Sequence, residues 1–188
     1  MSDDATDTRP YGGNTRAAWL ATATGIPLYV LMWAIVWGPG VQLFGSLADI
    51  EPRPTVENST LAAIAAINIL TVLVGLAVVA HTVGRVVFAR TSSMAVGQAA
   101  VVFAAMAAVL AVVPVVLVGV GQEDTGPAVA AAIVIILVPC VVSAGATRAL
   151  LPAVDRYAAL RGTVMVLLVI AIIAVVVFTF YAYAGAGQ

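Results

Sequence analysis

The stretch Asn58 to Arg85, NSTLAAIAAINILTVLVGLAVVAHTVGR, decides the fold. It runs apolar from Leu61 to Ala80 and then reaches His81 and Arg85, one helical turn apart. That length matches the ~20 residues needed to cross the hydrocarbon core of a bilayer. The stretch therefore reads as a membrane-spanning helix with its charged end at one surface. Within it Asn68, Thr71, Gly75, Thr82 and Arg85 recur at spacings of three, four or seven, which places them on one face. Polar and small residues sharing a face in lipid mark the side that packs against protein, because small residues admit a neighbouring backbone and amides find partners there.

Four other stretches repeat the pattern. The chain has 188 residues, 63% of them hydrophobic and only 9% charged, far outside the range of a soluble domain. The reading is an all-α polytopic transmembrane helix bundle of five spans with short loops. The spans fall near 17–37, 60–86, 94–118, 128–150 and 162–182, in one domain of residues 17–188 behind a disordered tail of residues 1–16. That tail is acidic and lacks the basic start and short apolar core of a secretory signal, so the first apolar run is read as a retained span.

Local signals refine each span. In the first, Trp19 near one end and Trp33 with Trp37 near the other suit the interfacial aromatic belts. Pro27 predicts a kink, and Gly38-Pro39-Gly40 a stop, leaving Val41 to Leu47 as a short re-entrant or surface piece. The loop that follows carries Asp49, Glu51, Arg53 and Glu57. The third span shows Gly97, Ala100, Ala104, Ala107 or Ala108, Ala111 and Pro114 as a small-residue packing stripe. The fourth is expected to break at Pro139 and aligns Cys140, Ser143 and Thr147 before ending at Arg148. Leu151 to Arg161 reads as an amphipathic connection along the membrane surface. The fifth, almost wholly Ile, Val, Leu and Ala, is the helix expected to face lipid.

Orientation follows from the arginines. Arg9, Arg16, Arg85, Arg90, Arg148, Arg156 and Arg161 fall on one side of a five-span layout, and Arg53 alone on the other. Basic residues of short loops stay cytoplasmic, so the amino terminus is expected inside and the carboxyl terminus outside a cell membrane. A four-span layout leaves one apolar run uninserted. Spans two and three could repeat as spans four and five, but the matches beyond Arg85 against Arg148 are thin.

Six polar positions could carry function: Asn68, Thr71, His81, Arg85, Cys140 and Ser143. His81 and Arg85 could bind an anionic head group or relay protons, although their place in the last wetted turn is explanation enough. Asn68, near mid-membrane, could line a pathway or simply hold helices together, and adhesion is the favoured reading. Cys140 lies deep in an apolar run and should be an inert thiol; as the single cysteine it can form no intrachain disulfide. Asn58-Ser59-Thr60 matches the glycosylation acceptor pattern. One His without a second, and no acid inside the spans, excludes a usual metal site, and no catalytic triad or phosphate-cradling loop is present. No catalytic residue, cofactor or metal is expected.

Two function classes lead, and a membrane enzyme comes third because only His81, Arg85 and Cys140 are available to it. The first is a non-enzymatic accessory or structural subunit whose partners are the bilayer and other membrane helices, of another subunit or a second copy. The second is a permease or channel component for a small solute or ion, suggested by the prolines at 27, 114 and 139. A net charge of −1 offers no footprint for nucleic acid.

Overall fold

The computed structural model describes residues 15–48, 69–70, 73–120 and 125–186, and no strand occurs among them. The helices are α1 (Thr15–Ala48), α2 (Leu73–His81), α3 (Val83–Arg90), α4 (Val96–Gly119), α5 (Thr125–Ala132), a π-helical turn (Ile133–Leu137), α6 (Val138–Arg156) and α7 (Ala158–Ala186). Four units are long and apolar enough to cross a membrane: α1, α4, the continuous α5–α6 helix and α7. A fifth is reached if the bent pair α2–α3 counts as one span. Residues 1–14 of the expected tail, the loop with Asn58-Ser59-Thr60, and Asn68 and Thr71 lie outside the described residues.

Helix directions alternate. Arg16 pairs with Asp155 at 3.0 Å, Gly25 lies against Thr147 and Gly40 against Ile135, so α1 runs antiparallel to α5–α6. Leu76 meets Gly25 and His81 meets Trp19, which sets α2 antiparallel to α1 as well. Leu20 clusters with Val164 and Trp33 touches Phe178, so α7 runs parallel to α1. Thr15 and Ala186 therefore lie at opposite ends of the bundle. Two apolar clusters hold it: Tyr29, Trp33, Ile69, Val115, Ile135, Ile136 and Val175 toward one end, and Leu20, Ala23, Leu151, Val154 and Val164 toward the other.

Several helix boundaries differ from the sequence expectation, each for a physical reason. α1 does not stop at Gly38-Pro39-Gly40 but continues for 34 residues with both Pro27 and Pro39 inside it. Gly40 is buried where the helix presses on Ile135, and a Cβ there would stand 2.7 Å from the Ile135 Cδ1 atom. Glycine at 40 is a close-approach residue and not a helix terminator. Trp33 is 6% exposed, stacked on Trp37 at 4.9 Å and edge-on to Phe178 at 5.6 Å, and so belongs to the core instead of an interfacial belt. Trp19, 61% exposed, lies on the outer surface of the bundle with its ring edge-on to His81.

Pro139 bends nothing into two pieces. The preceding residues take a π turn, with the Val138 N–H bonded to the Ile133 carbonyl, five residues back. Proline has no N–H to give, and its ring crowds the carbonyl four residues earlier; the wider turn accommodates both and the helix runs on. It also passes Arg148 and Pro152 to end at Arg156. Tyr157 alone, extended at φ −104 and ψ 116, joins it to α7. The expected surface segment from Leu151 to Arg161 is thus the last turns of α6, with Leu151 and Val154 buried, and the first turn of α7.

The second span is broken where a single helix was expected. α2 and α3 meet at Thr82 with a 49° bend. His81 Nδ1 donates to the Ala77 carbonyl at 2.9 Å and Thr82 Oγ1 to the Val78 carbonyl at 2.8 Å, so side chains compete for the ladder's acceptors. Glycine at 84 permits the bend, because a Cβ there would stand 3.0 Å from the Val79 carbonyl oxygen.

The packing stripe of α4 does face another helix. A Cβ on Gly145 of α6 would lie 3.5 Å from the Ala104 methyl and from the Ala100 carbonyl oxygen. Gly97, however, is exposed and has open space around it, so the stripe begins one turn later than expected. α7 buries one narrow line, Val164, Ala171 and Val175, and leaves the rest of its apolar surface outward.

Candidate functional site

Between α1, α2, α3, α4 and α6 lies a cavity of about 370 Å³, within the span of small-molecule sites. α1 contributes Ala17, Ala18, Ala21 and Gly25; α2 contributes Gly75, Leu76, Val79 and Ala80. These small residues leave the space because no side chain fills it. The far wall is α4, from Phe103 through Ala107 to Pro114 and Leu117. α6 adds Cys140, Ser143, Ala144, Thr147, Arg148 and Leu151 along one face, and α3 adds Gly84, Arg85 and Phe88.

The walls are almost entirely apolar, with the cations gathered toward one end. Arg148 is 6% exposed, and its guanidinium carbon stands 5.0 Å from the centroid of the Phe88 ring and 5.9 Å from that of Phe103. Stacked rings stabilise such a cation through their quadrupole. Arg148 is eight residues short of the helix end at Arg156, roughly 12 Å along the axis at 1.5 Å per residue. It does not end its helix, and it is buried among neighbouring helices instead of standing on the surface of the bundle. Arg85 sits three residues before Phe88 on α3, half-buried, and makes no ion pair with any described residue. Thr147 beside Arg148 is buried, and its Oγ1 has no hydrogen-bond partner among the described residues.

Of the six positions read from the sequence, Arg85, Cys140 and Ser143 come together on this cavity wall. His81 does not. The bend at Thr82 takes it off the face of Arg85 and sets its ring edge-on to Trp19, centroids 4.7 Å apart. Its Nδ1 carries the proton given to Ala77, and its Nε2 is buried without a hydrogen-bond partner among the described residues. Ser143 donates to the Cys140 carbonyl at 3.2 Å, a bond within its own helix. Asn68 and Thr71 lie outside the described residues. No three His, Cys, Asp or Glu side chains group as metal ligands would among the described residues.

No protein-family model, curated protein or solved structure matches the chain. The chemistry of the site must be read from its own residues.

Arg148 and Thr147 line the cavity but were not among the six candidate positions. Their signal was present in the sequence: Cys140, Ser143 or Ala144, Thr147 or Arg148, and Leu151 follow the i, i+3, i+4 rule. An arginine on a stripe that continues beyond it is on the packed face and not at the helix end.

Proposed function

We propose that this is a non-enzymatic accessory protein of the cell membrane, amino terminus cytoplasmic and carboxyl terminus outside, that acts by packing and not by bond chemistry. The observation that carries this reading is how the hydroxyls of the helices other than that of Thr147 are used. Thr22 donates to Ala18, Thr24 to Leu20, Ser143 to Cys140 and Thr179 to Val175, each to a carbonyl of its own helix. A hydroxyl spent in this way satisfies itself in lipid and activates no nucleophile. The broad apolar faces of α4 and α7, with Val101, Val109, Leu117, Val166, Ile173 and Phe180 exposed, support contact with lipid or with other membrane helices.

A second reading, a permease or channel component, draws support from the cavity and from the broken α2–α3 span. Broken helices in transporters line substrate sites. Asn68→Leu separates the two readings. If the amide only holds helices together, the substitution costs roughly 0.6 to 2 kcal/mol of stability, and the protein in liposomes passes no solute before or after it. A measurable solute flux that a folded, stable Asn68→Leu protein has lost would replace the accessory reading by the permease.

A further inference from the structure

We propose that the cavity binds one anionic lipid of the surrounding bilayer, with an acyl chain in its apolar end and the head-group phosphate at Arg148, Arg85 and Thr147. Three independent features of the site converge on that chemistry.

The first is the division of the walls. From Thr147 and Arg148 the α6 wall runs to Cys140, roughly two turns or 12 Å, and the α4 lining continues past it through Ala107, Ala111, Pro114 and Leu117, all hydrocarbon. A hydrophilic solute gains nothing from such walls, whereas an acyl chain enters from hydrocarbon without a desolvation cost and supplies the dispersion contacts that an unfilled space lacks. A wholly apolar guest, in turn, gains nothing from the cationic end.

The second is the set of donors at that end. A guanidinium holds its charge at any physiological pH and presents N–H groups in a planar fork that matches phosphate oxygens. Its flat face can rest on aromatic rings at the same time, as that of Arg148 rests on Phe88 and Phe103. Arg85 lies on the same helix face as Phe88, three residues earlier, and brings a second guanidinium to the same end. The Thr147 hydroxyl, 8% exposed and on the cavity wall, has no acceptor or donor among the described residues and gains one from a phosphate oxygen.

The third is lateral access. Leu110, Val113 and Leu117 of α4 line the cavity and are also 38%, 60% and 66% exposed on the outside of the bundle. On the α2 side Gly75 is exposed, and a Cβ there would meet nothing within 4 Å. The cavity thus borders the lipid-facing surface, and a bilayer lipid reaches it without crossing water. The site stands on these features whether the protein serves as an accessory or as a permease.

Native mass spectrometry of the delipidated protein in detergent, titrated with dioleoyl phosphatidylglycerol or dioleoyl phosphatidylcholine, tests the site. The expected result is retention of one phosphatidylglycerol and displacement of phosphatidylcholine. Arg85→Gln should weaken phosphatidylglycerol by about tenfold, the loss of one charge-assisted contact, and Arg85→Lys should recover part of it. Gly75→Phe, beside Leu76 at the level of Thr147, narrows the cavity while leaving every charge in place, and should abolish retention of the lipid. Inorganic phosphate alone should leave the melting temperature unchanged, because the head group without its chain lacks most of the contact. Equal retention of the two lipids would overturn the proposal, as would a Gly75→Phe protein that still holds phosphatidylglycerol, or stabilisation by inorganic phosphate equal to that by the lipid. If Arg85→Gln does not fold, the lipid preference of the unmodified protein and the Gly75→Phe result decide alone.

Discussion

Replacing Gly40 by Ala tests the helix that the sequence appeared to end. At Gly38, two residues earlier, an added methyl meets nothing within 4 Å, whereas at Gly40 it would press on Ile135 Cγ1 and lie 2.7 Å from Ile135 Cδ1. In a helix interior Gly→Ala gains roughly 0.5 to 1 kcal/mol from backbone entropy. Gly38→Ala should therefore stabilise by about that amount. Gly40→Ala receives the same gain, opposed by an overpacking cost of roughly 1 to 3 kcal/mol, because Ile135 belongs to a close-packed cluster with Tyr29, Trp33 and Ile136. The two variants should then differ by about 2 kcal/mol, which for a chain of this size is roughly 6 °C at 3 °C per kcal/mol. Thermal unfolding in detergent measures it. Trimming the partner supplies the control: Ile135→Val in the Gly40→Ala background should restore part of the loss, with a coupling of at least roughly 0.5 kcal/mol in the double-mutant cycle, the lower limit for residues in contact. Equal melting temperatures for Gly38→Ala and Gly40→Ala, with no coupling to Ile135, would mean that α1 does not continue through this point and that the packing inferred for Gly40 is wrong.

The α4–α6 interface gives a second contrast. Ala104→Leu should cost roughly 1 to 3 kcal/mol by driving Gly145 away, while Ala174→Leu on the exposed face of α7 should stay within about 0.5 kcal/mol; equal tolerance in a detergent melt would reverse the packed and lipid-facing helices. Ala171 is no substitute for Ala174, since it is buried on the inner line of α7. Topology is open to reporter fusions after Arg16, Glu57, Arg90, Glu123, Arg156 and Gln188, expected to read in, out, in, out, in, out. Two adjacent fusions on the same side would remove a span.

Hydropathy alone determined the class of this protein, because lipid forbids unpaired backbone groups and a 20-residue apolar run has only the helix available to it. The small-residue stripe of α4 was legible for the same reason, since close helix approach in lipid requires Ala and Gly at helical spacing. What the sequence left undecided were the places where a local signal has two meanings. Gly38-Pro39-Gly40 and Pro139 resemble helix stops, yet Gly40 makes room for Ile135 and a π turn absorbs Pro139. Trp33 resembles a belt residue until Trp37 and Phe178 enclose it. His81 and Arg85 are one turn apart in the chain, but a 49° bend sends one to Trp19 and the other to the cavity. Arg148 shows the limit most clearly. A guanidinium near the end of an apolar run reads as an exposed interfacial residue because burying it costs free energy; only the neighbouring helices, by bringing Phe88 and Phe103 to its face, make the buried position tolerable. Short-range sequence sets helix formation through the solvent, whereas the direction a polar side chain takes depends on residues far away in the chain that supply its surroundings.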